Sequence, residues 1–296
     1  MFKSFKSFHT LKLVIEPETS LLIKSGDTPV DPTVPDMAFV RIPTPFGETV
    51  YIPGSSLKGV MRSHAAQLLA GVGKDICAIS VANGDCGNKV VNGKRVMKID
   101  SGVLRYQHSC HVCRTFGSTA LASVVRVADF FPYPYDAPEE EKKKKISEIS
   151  KMLGFKTGIK IDPKSGTVKS RALYTAEILS GGRFYGELVL KNPEIWQLGL
   201  IFKVIEDMNN GVVRLGHMST RGLGKVKVTI EEVFVETTSS DGIAFTKFNG
   251  DFSQEILKVQ AKPEIKGFIS HYSFKENSLE SLKETVYEKT SQALKR

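Results

Sequence analysis

An α+β fold is predicted by three observations. Short alternating apolar segments recur at 8–16, 183–190 and 224–235, while apolar residues at helical spacing occupy 55–70 and 194–209. The turn formers of the chain gather between these segments, not inside them. With a further apolar run at 121–130, the regular elements read strand–helix–strand, then strand–helix–strand. That is the order of a ferredoxin-like or RNA-recognition-motif-like core.

The first strand, 8–16, sets Leu11, Leu13 and Ile15 against Lys12 and Glu16. A loop rich in Pro and Asp runs from about 17 to 50. Tyr51-Ile52-Pro53-Gly54-Ser55-Ser56-Leu57-Lys58-Gly59-Val60-Met61-Arg62 then turns from loop into helix. Pro53 and Gly54 make the turn, and Ser55 or Ser56 is expected to cap the helix. Leu57, Val60, Met61, His64, Leu68 and Leu69 share a face, with Lys58 and Arg62 four apart on another. A helix start with free N–H groups and flanking cations suits a phosphate.

Residues 71–120 are irregular and hold all four cysteines, Cys77, Cys86, Cys110 and Cys113. Four soft ligands in such a segment suit a closed structural zinc site, with His108 and His111 as spare ligands. After 121–130 comes a charged insertion at about 132–160, where Glu139, Glu140 and Glu141 offset a lysine run. A hairpin arm is expected at 156–180, so 132–180 reads as a second insertion. Ser180-Gly181-Gly182 opens the strand at 183–190, and Asn210-Gly211 stops the helix at 194–209. Residues 241–296 read as a polar C-terminal extension to a domain of 1–240, ending in a helix near 277–294.

Arg214-Leu215-Gly216-His217-Met218-Ser219-Thr220-Arg221-Gly222-Leu223-Gly224-Lys225 joins three glycines to three cations and two hydroxyls just before a strand. Glycine lets the backbone approach a ligand, while Arg214, Ser219, Arg221 and Lys225 suit phosphate and ribose. The segment is no P-loop, because the Gly-Lys-Ser/Thr ending is missing and no helix follows. His9, His64, His217 and His271 read as core or turn histidines. Lys and Arg number 41 against 32 Asp and Glu in 296 residues, a formal charge of +9 that favours a polyanionic partner, RNA or DNA ahead of a membrane. No run reaches the length of a membrane span, and the first residues lack a secretory pattern, so a cytoplasmic location is expected.

The pairing of IPGSSLKGVMR with a late LGHMSTRGLGKVKV, separated by IKIDPKSGTVKSRALYTAEILSGGRFYGEL, resembles the RAMP superfamily. The resemblance is to the backbone (Csm/Cmr-like) subunit of type III CRISPR effector complexes. It implies polymerisation along a guide RNA, with partners that include target RNA, other effector-complex subunits and copies of the chain itself. Lys58, Arg62, Arg221 and Lys225 would meet guide phosphates, and the arm around 156–169, with Lys160 and Lys164, would be the RNA-kinking thumb. Asp36-Met37-Ala38-Phe39-Val40-Arg41 ahead of the Pro-Gly turn is similar to the family's Asp-x-x-x-x-Arg pattern. By that resemblance Asp36 is the candidate for cutting bound target RNA with Mg²⁺ or Mn²⁺, with Asp27 and Asp31 as nearby competitors. The CxxCRxFGS phrase is also similar to zinc-bearing members. A non-catalytic RNA-binding scaffold is the alternative. A metal-free repeat-RNA nuclease would need a reactive His, Tyr or Lys cluster that the sequence does not display.

Overall fold

The computed structural model describes residues 4–26, 35–78, 84–161, 164 and 166–295, without the side chains of 160, 161 and 168–172. In chain order the elements are β1 (Ser7–Pro17), β2 (Arg41–Thr44), β3 (Gly47–Val50), α1 (Gly54–Gly71), β4 (Val90–Val91), β5 (Lys94–Arg95), α2 (Gly102–Gln107), α3 (His111–Phe116), β6 (Val125–Val127), α4 (Glu139–Ser150), β7 (Leu153–Ile161), β8 (Val168–Leu179), β9 (Phe184–Lys191), α5 (Ile195–Asn209), β10 (Val226–Thr237), β11 (Ile243–Phe248), β12 (Phe252–Leu257), β13 (Glu264–Lys266), β14 (Ile269–Phe274) and α6 (Glu276–Leu294).

A six-stranded antiparallel sheet, ordered β13-β14-β10-β1-β9-β6, carries the molecule. Central β1 pairs Leu11 with Val233 on one side and with Leu188 on the other. The alternation read from the sequence is the alternation of burial: Leu11, Leu13 and Ile15 face the core with Leu188, Leu190, Val228 and Val233, while Lys12 is exposed. One bulge, between Lys12 and Leu13, keeps both halves of the strand in phase with β10.

The helices cover this apolar face. α1 buries Leu57, Met61, Ala65 and Leu69, spaced four apart. α5 is apolar nearly all round because it lies between the sheet and α6, which buries Leu279, Leu282 and Val286. Residues 243–286 therefore share one hydrophobic core with the rest of the chain. The expectation for this region named only a terminal helix; four strands precede it.

β7 and β8 pair from Leu153↔Leu179 to Ile161↔Val168 and form a two-stranded arm. Its base is tied in by bridges Leu21↔Leu179 and Met37↔Ala176. The strand expected at 121–130 is only three residues long, because the chain leaves β6 to place Asp129 and then rejoins through Ile52↔Phe130 and Phe131↔Tyr185. No described helix is long and apolar enough to cross a membrane.

Candidate functional site

The serine cap expected on α1 is absent. The helix starts at Gly54 after Pro53, with no side-chain cap from either serine. Instead Asp129, 75 residues away, accepts the Gly54 N–H through Oδ1 at 2.7 Å. A carboxylate there already satisfies the partial positive charge of the helix end, so a phosphate is not needed at that point. Only glycine fits at 54: a Cβ would lie 2.4 Å from the Val127 carbonyl oxygen.

Ser55 and Ser56, which do not cap the helix, line an open groove. One wall is α1, with Ser55, Ser56, Ser63, His64 and Gln67. The other is the segment after α5, with Val212, Val213, Arg214, Gly216 and Ser219. Among the described residues no acidic side chain lines it, and Arg214 contributes a cation. The two sequence segments, about 150 positions apart, thus meet along one surface.

Hydrogen bonds fix the second wall. Leu215 N–H donates to the Gly224 carbonyl at 2.8 Å, His217 N–H to Leu22 at 2.7 Å and Gly224 N–H to Ser20 at 2.9 Å. At Gly224 the φ of +82° and a Cβ position 2.1 Å from the Leu215 oxygen exclude any side chain. The glycines here let the loop fold on itself and on the 20–22 segment. His64 ties the walls together: its Nε2 lies 2.8 Å from Asp207 Oδ2 on α5, and the Asp207 carbonyl accepts from Val212 and Val213 at 3.0 and 3.1 Å. Read from sequence as a core histidine, His64 is a strut beside the groove.

The expected cations separate. At 100° per residue, Lys58 and Arg62 are turned more than about 110° from the groove face of α1. Lys58 donates to Ser123 Oγ at 2.9 Å and to the Val125 carbonyl at 3.0 Å, and burial, helped by Arg62, lowers its pKa. Arg62 Nη2 lies 3.7 Å from Cys113 Sγ. Lys225 forms an ion pair with Glu18 at 2.8 Å. Arg221 is exposed and donates to the Tyr174 hydroxyl at 2.5 Å, reaching the arm. Lys160 lies in β7, its side chain outside the described residues, and Lys164 is exposed near the arm tip.

Asp36 is also exposed and lies against the arm base, where Oδ2 accepts the Thr175 N–H at 2.8 Å. Five residues on, Arg41 makes a bidentate pair with Glu177 at 2.9 and 2.6 Å, and Glu177 also accepts the Phe39 N–H at 2.9 Å. Met37 bridges Ala176 in parallel between these points. The Asp-x-x-x-x-Arg spacing therefore has a physical cause: both ends of the segment dock on β8. Glu177 was missed, although a single carboxylate in the apolar run Ala176-Glu177-Ile178-Leu179 signals a buried partner. Asp129 left no local signal. Asp27 and Asp31 lie outside the described residues.

The four cysteines converge. All four Sγ atoms lie within 4.8 Å of one another, with Cys77 3.4 Å from Cys113 and 3.6 Å from Cys110. Sulfurs around a tetrahedral zinc, with Zn–S of about 2.3 Å, sit about 3.8 Å apart, so the set fits that ion. The donor chemistry agrees. Hydrogen bonds from Cys113 and Cys86 hold the Cys110 thiol far below its ordinary value, while bonding to Cys110 pushes Cys113 up and Cys86 up to about 12. Among the described residues this is the only group of three or more His, Cys, Asp or Glu able to share a metal. His108 and His111 are not in it; the His111 ring packs on Trp196.

A mixed α+β scaffold with a cation- and hydroxyl-lined groove and a four-cysteine cluster defines the class. The family model of the RAMP superfamily matches residues 14–227, well over half of the chain, and the chain belongs to that superfamily. It is a CRISPR-associated RNA-binding protein. No curated protein sequence matches it.

Proposed function

We propose that this chain is a guide-RNA-binding backbone subunit of a type III (Csm/Cmr-like) CRISPR interference complex, working in the cytoplasm, with endonucleolytic activity on bound target RNA. The observation that carries the reading is the groove between Ser55–Gln67 and Val212–Ser219, which offers hydroxyls and Arg214 to a sugar–phosphate backbone with no carboxylate among its described lining residues. Strand order β10-β1-β9-β6 with α1 and α5 fits a ferredoxin-like core. On it the cysteine segment and the β7–β8 arm are insertions, the arm acting as thumb, and 241–296 is an extension that completes the core.

In cutting, the target ribose 2′-oxygen bonds to the adjacent phosphorus, the P–O5′ bond breaks, and the proton passes from the 2′-hydroxyl to the leaving 5′-oxygen through solvent. Asp36 Oδ1 orients or deprotonates that hydroxyl, while Oδ2 stays on Thr175 N–H and holds the carboxylate in place. Asp36 would be the residue beside a Mg²⁺ or Mn²⁺ ion, which would supply positive charge to the phosphate. The cysteine cluster holds zinc as a structural crosslink. The same Oδ2 bond favours the alternative, a non-catalytic scaffold, since it gives Asp36 a structural task.

Assembled complex is incubated with matched RNA and Mg²⁺, with and without EDTA. Cutting by wild type, loss of at least about a hundredfold in Asp36→Ala, and silence in EDTA support the nuclease. Undiminished cutting by Asp36→Ala removes Asp36 from the reaction, and a wild-type complex that binds without cutting leaves the scaffold.

A further inference from the structure

Arg62 sits on the same helix as the groove serines, but its guanidinium reaches the cysteine segment. Its Nη2 is 3.7 Å from Cys113 Sγ, and its Nε is buried with no hydrogen-bond partner. A guanidinium N–H is not left buried without an acceptor at no cost, so the site is short of one acceptor or one negative charge. The cysteine cluster supplies that charge when it is loaded. Four thiolates around a divalent cation carry a net charge of −2, and this cluster is half-buried, with Cys86 and Cys113 inside the protein. Backbone N–H groups already serve two of the sulfurs: Cys110 N–H on Cys86 Sγ at 3.2 Å and Cys113 N–H on Cys110 Sγ at 3.5 Å. Among the described residues Arg62 is the one side-chain cation in hydrogen-bonding reach of a cysteine sulfur.

We propose that Arg62 is a positioning residue of the metal centre, compensating the charge of the metal-bound thiolates and fastening α1 to the cysteine segment, and that it is not a contact of the RNA. The metal then acts beyond its own segment, because the helix it anchors is one wall of the groove. Outer-sphere partners of this kind change metal affinity by about 10–100-fold. Lysine would not replace Arg62, since a single ammonium cannot place one nitrogen beside the sulfur and a second N–H further along the same planar group.

The proposal rests on the cluster holding zinc, and the test keeps the two apart. Purified full-length protein, Arg62→Met and Arg62→Gln are compared by competition for Zn²⁺ with a chromogenic chelator. Wild type should bind one Zn²⁺, and both variants should bind it at least tenfold more weakly. Thermal unfolding with and without Zn²⁺ gives the second readout: the variants should lose part of the zinc-induced rise in Tm, whereas a plain packing defect lowers both values together and leaves the rise unchanged. Wild-type zinc affinity in a folded variant, or an unchanged rise, overturns the assignment of Arg62. Wild-type protein that takes up no Zn²⁺ overturns the metal reading itself.

Discussion

Single residues in this chain are legible from sequence where their partner is local and opaque where it is distant. The Asp36–Arg41 spacing is visible, but its cause, Glu177 on β8, lies more than 130 positions on. Ser55 and Ser56 look like caps because nothing nearby announces Asp129. The cysteines are legible as a set, since soft ligands in an irregular segment have little else to do. His9 is another residue whose role comes from its surroundings. It is fully buried on Phe245, with Nε2 3.0 Å from Ser7 Oγ and Nδ1 unpartnered, and burial lowers its pKa from 6.5 to about 3. Folded and unfolded chains both keep His9 neutral above pH 6.5, and below it only the unfolded chain takes the proton. The folded state therefore loses about 1.4 kcal/mol per pH unit as pH falls from 6.5 toward 3. Urea unfolding at pH 7 and pH 5 should show the His9→Phe variant losing about 2 kcal/mol less than wild type across that interval. Equal losses would place the acid sensitivity elsewhere.

Elements were legible in proportion to their length and periodicity. β1, α1, β9, α5 and β10 all fall within two or three residues of the periodic segments that announced them. The short helices α2 and α3 were not announced, since six residues carry too little pattern and the cysteine cluster organises them. β11 escaped because Ile243, Ala244, Phe245 and Thr246 are buried in a row and do not alternate, β12 and β13 because they are mostly exposed, and β14 because Ser270 is among its buried residues. What joins this region to the body is helix packing. α6 crosses α5 at Gly199, where a Cβ would come 2.1 Å from Thr290 Oγ1. Gly199→Ala should cost about 1–3 kcal/mol in urea unfolding and expose the 276–294 helix to limited proteolysis. A variant with wild-type stability and protease resistance would show that the contact is not tight.

At the scale of the whole molecule, the sheet sets where everything else can go. Its apolar face takes α1 and α5, α1 ends beside the cysteine cluster, and the chain leaving α5 returns along α1 before entering β10. That return path brings two distant motifs together and leaves Asp36 on the arm base, where Arg221 from the second motif also reaches through Tyr174. The positive net charge of the chain is spread, with Lys58, Arg62 and Lys225 spent on internal partners, so the groove is lined by hydroxyls and Arg214 and not by a dense cationic patch. Photo-crosslinking of RNA in the assembled complex, mapped by mass spectrometry, tests this account most directly. Crosslinks should fall on both Ser55–Gln67 and Val212–Ser219. Crosslinks confined to the outer sheet face around Lys12 and Glu232, with none on either groove wall, would contradict it.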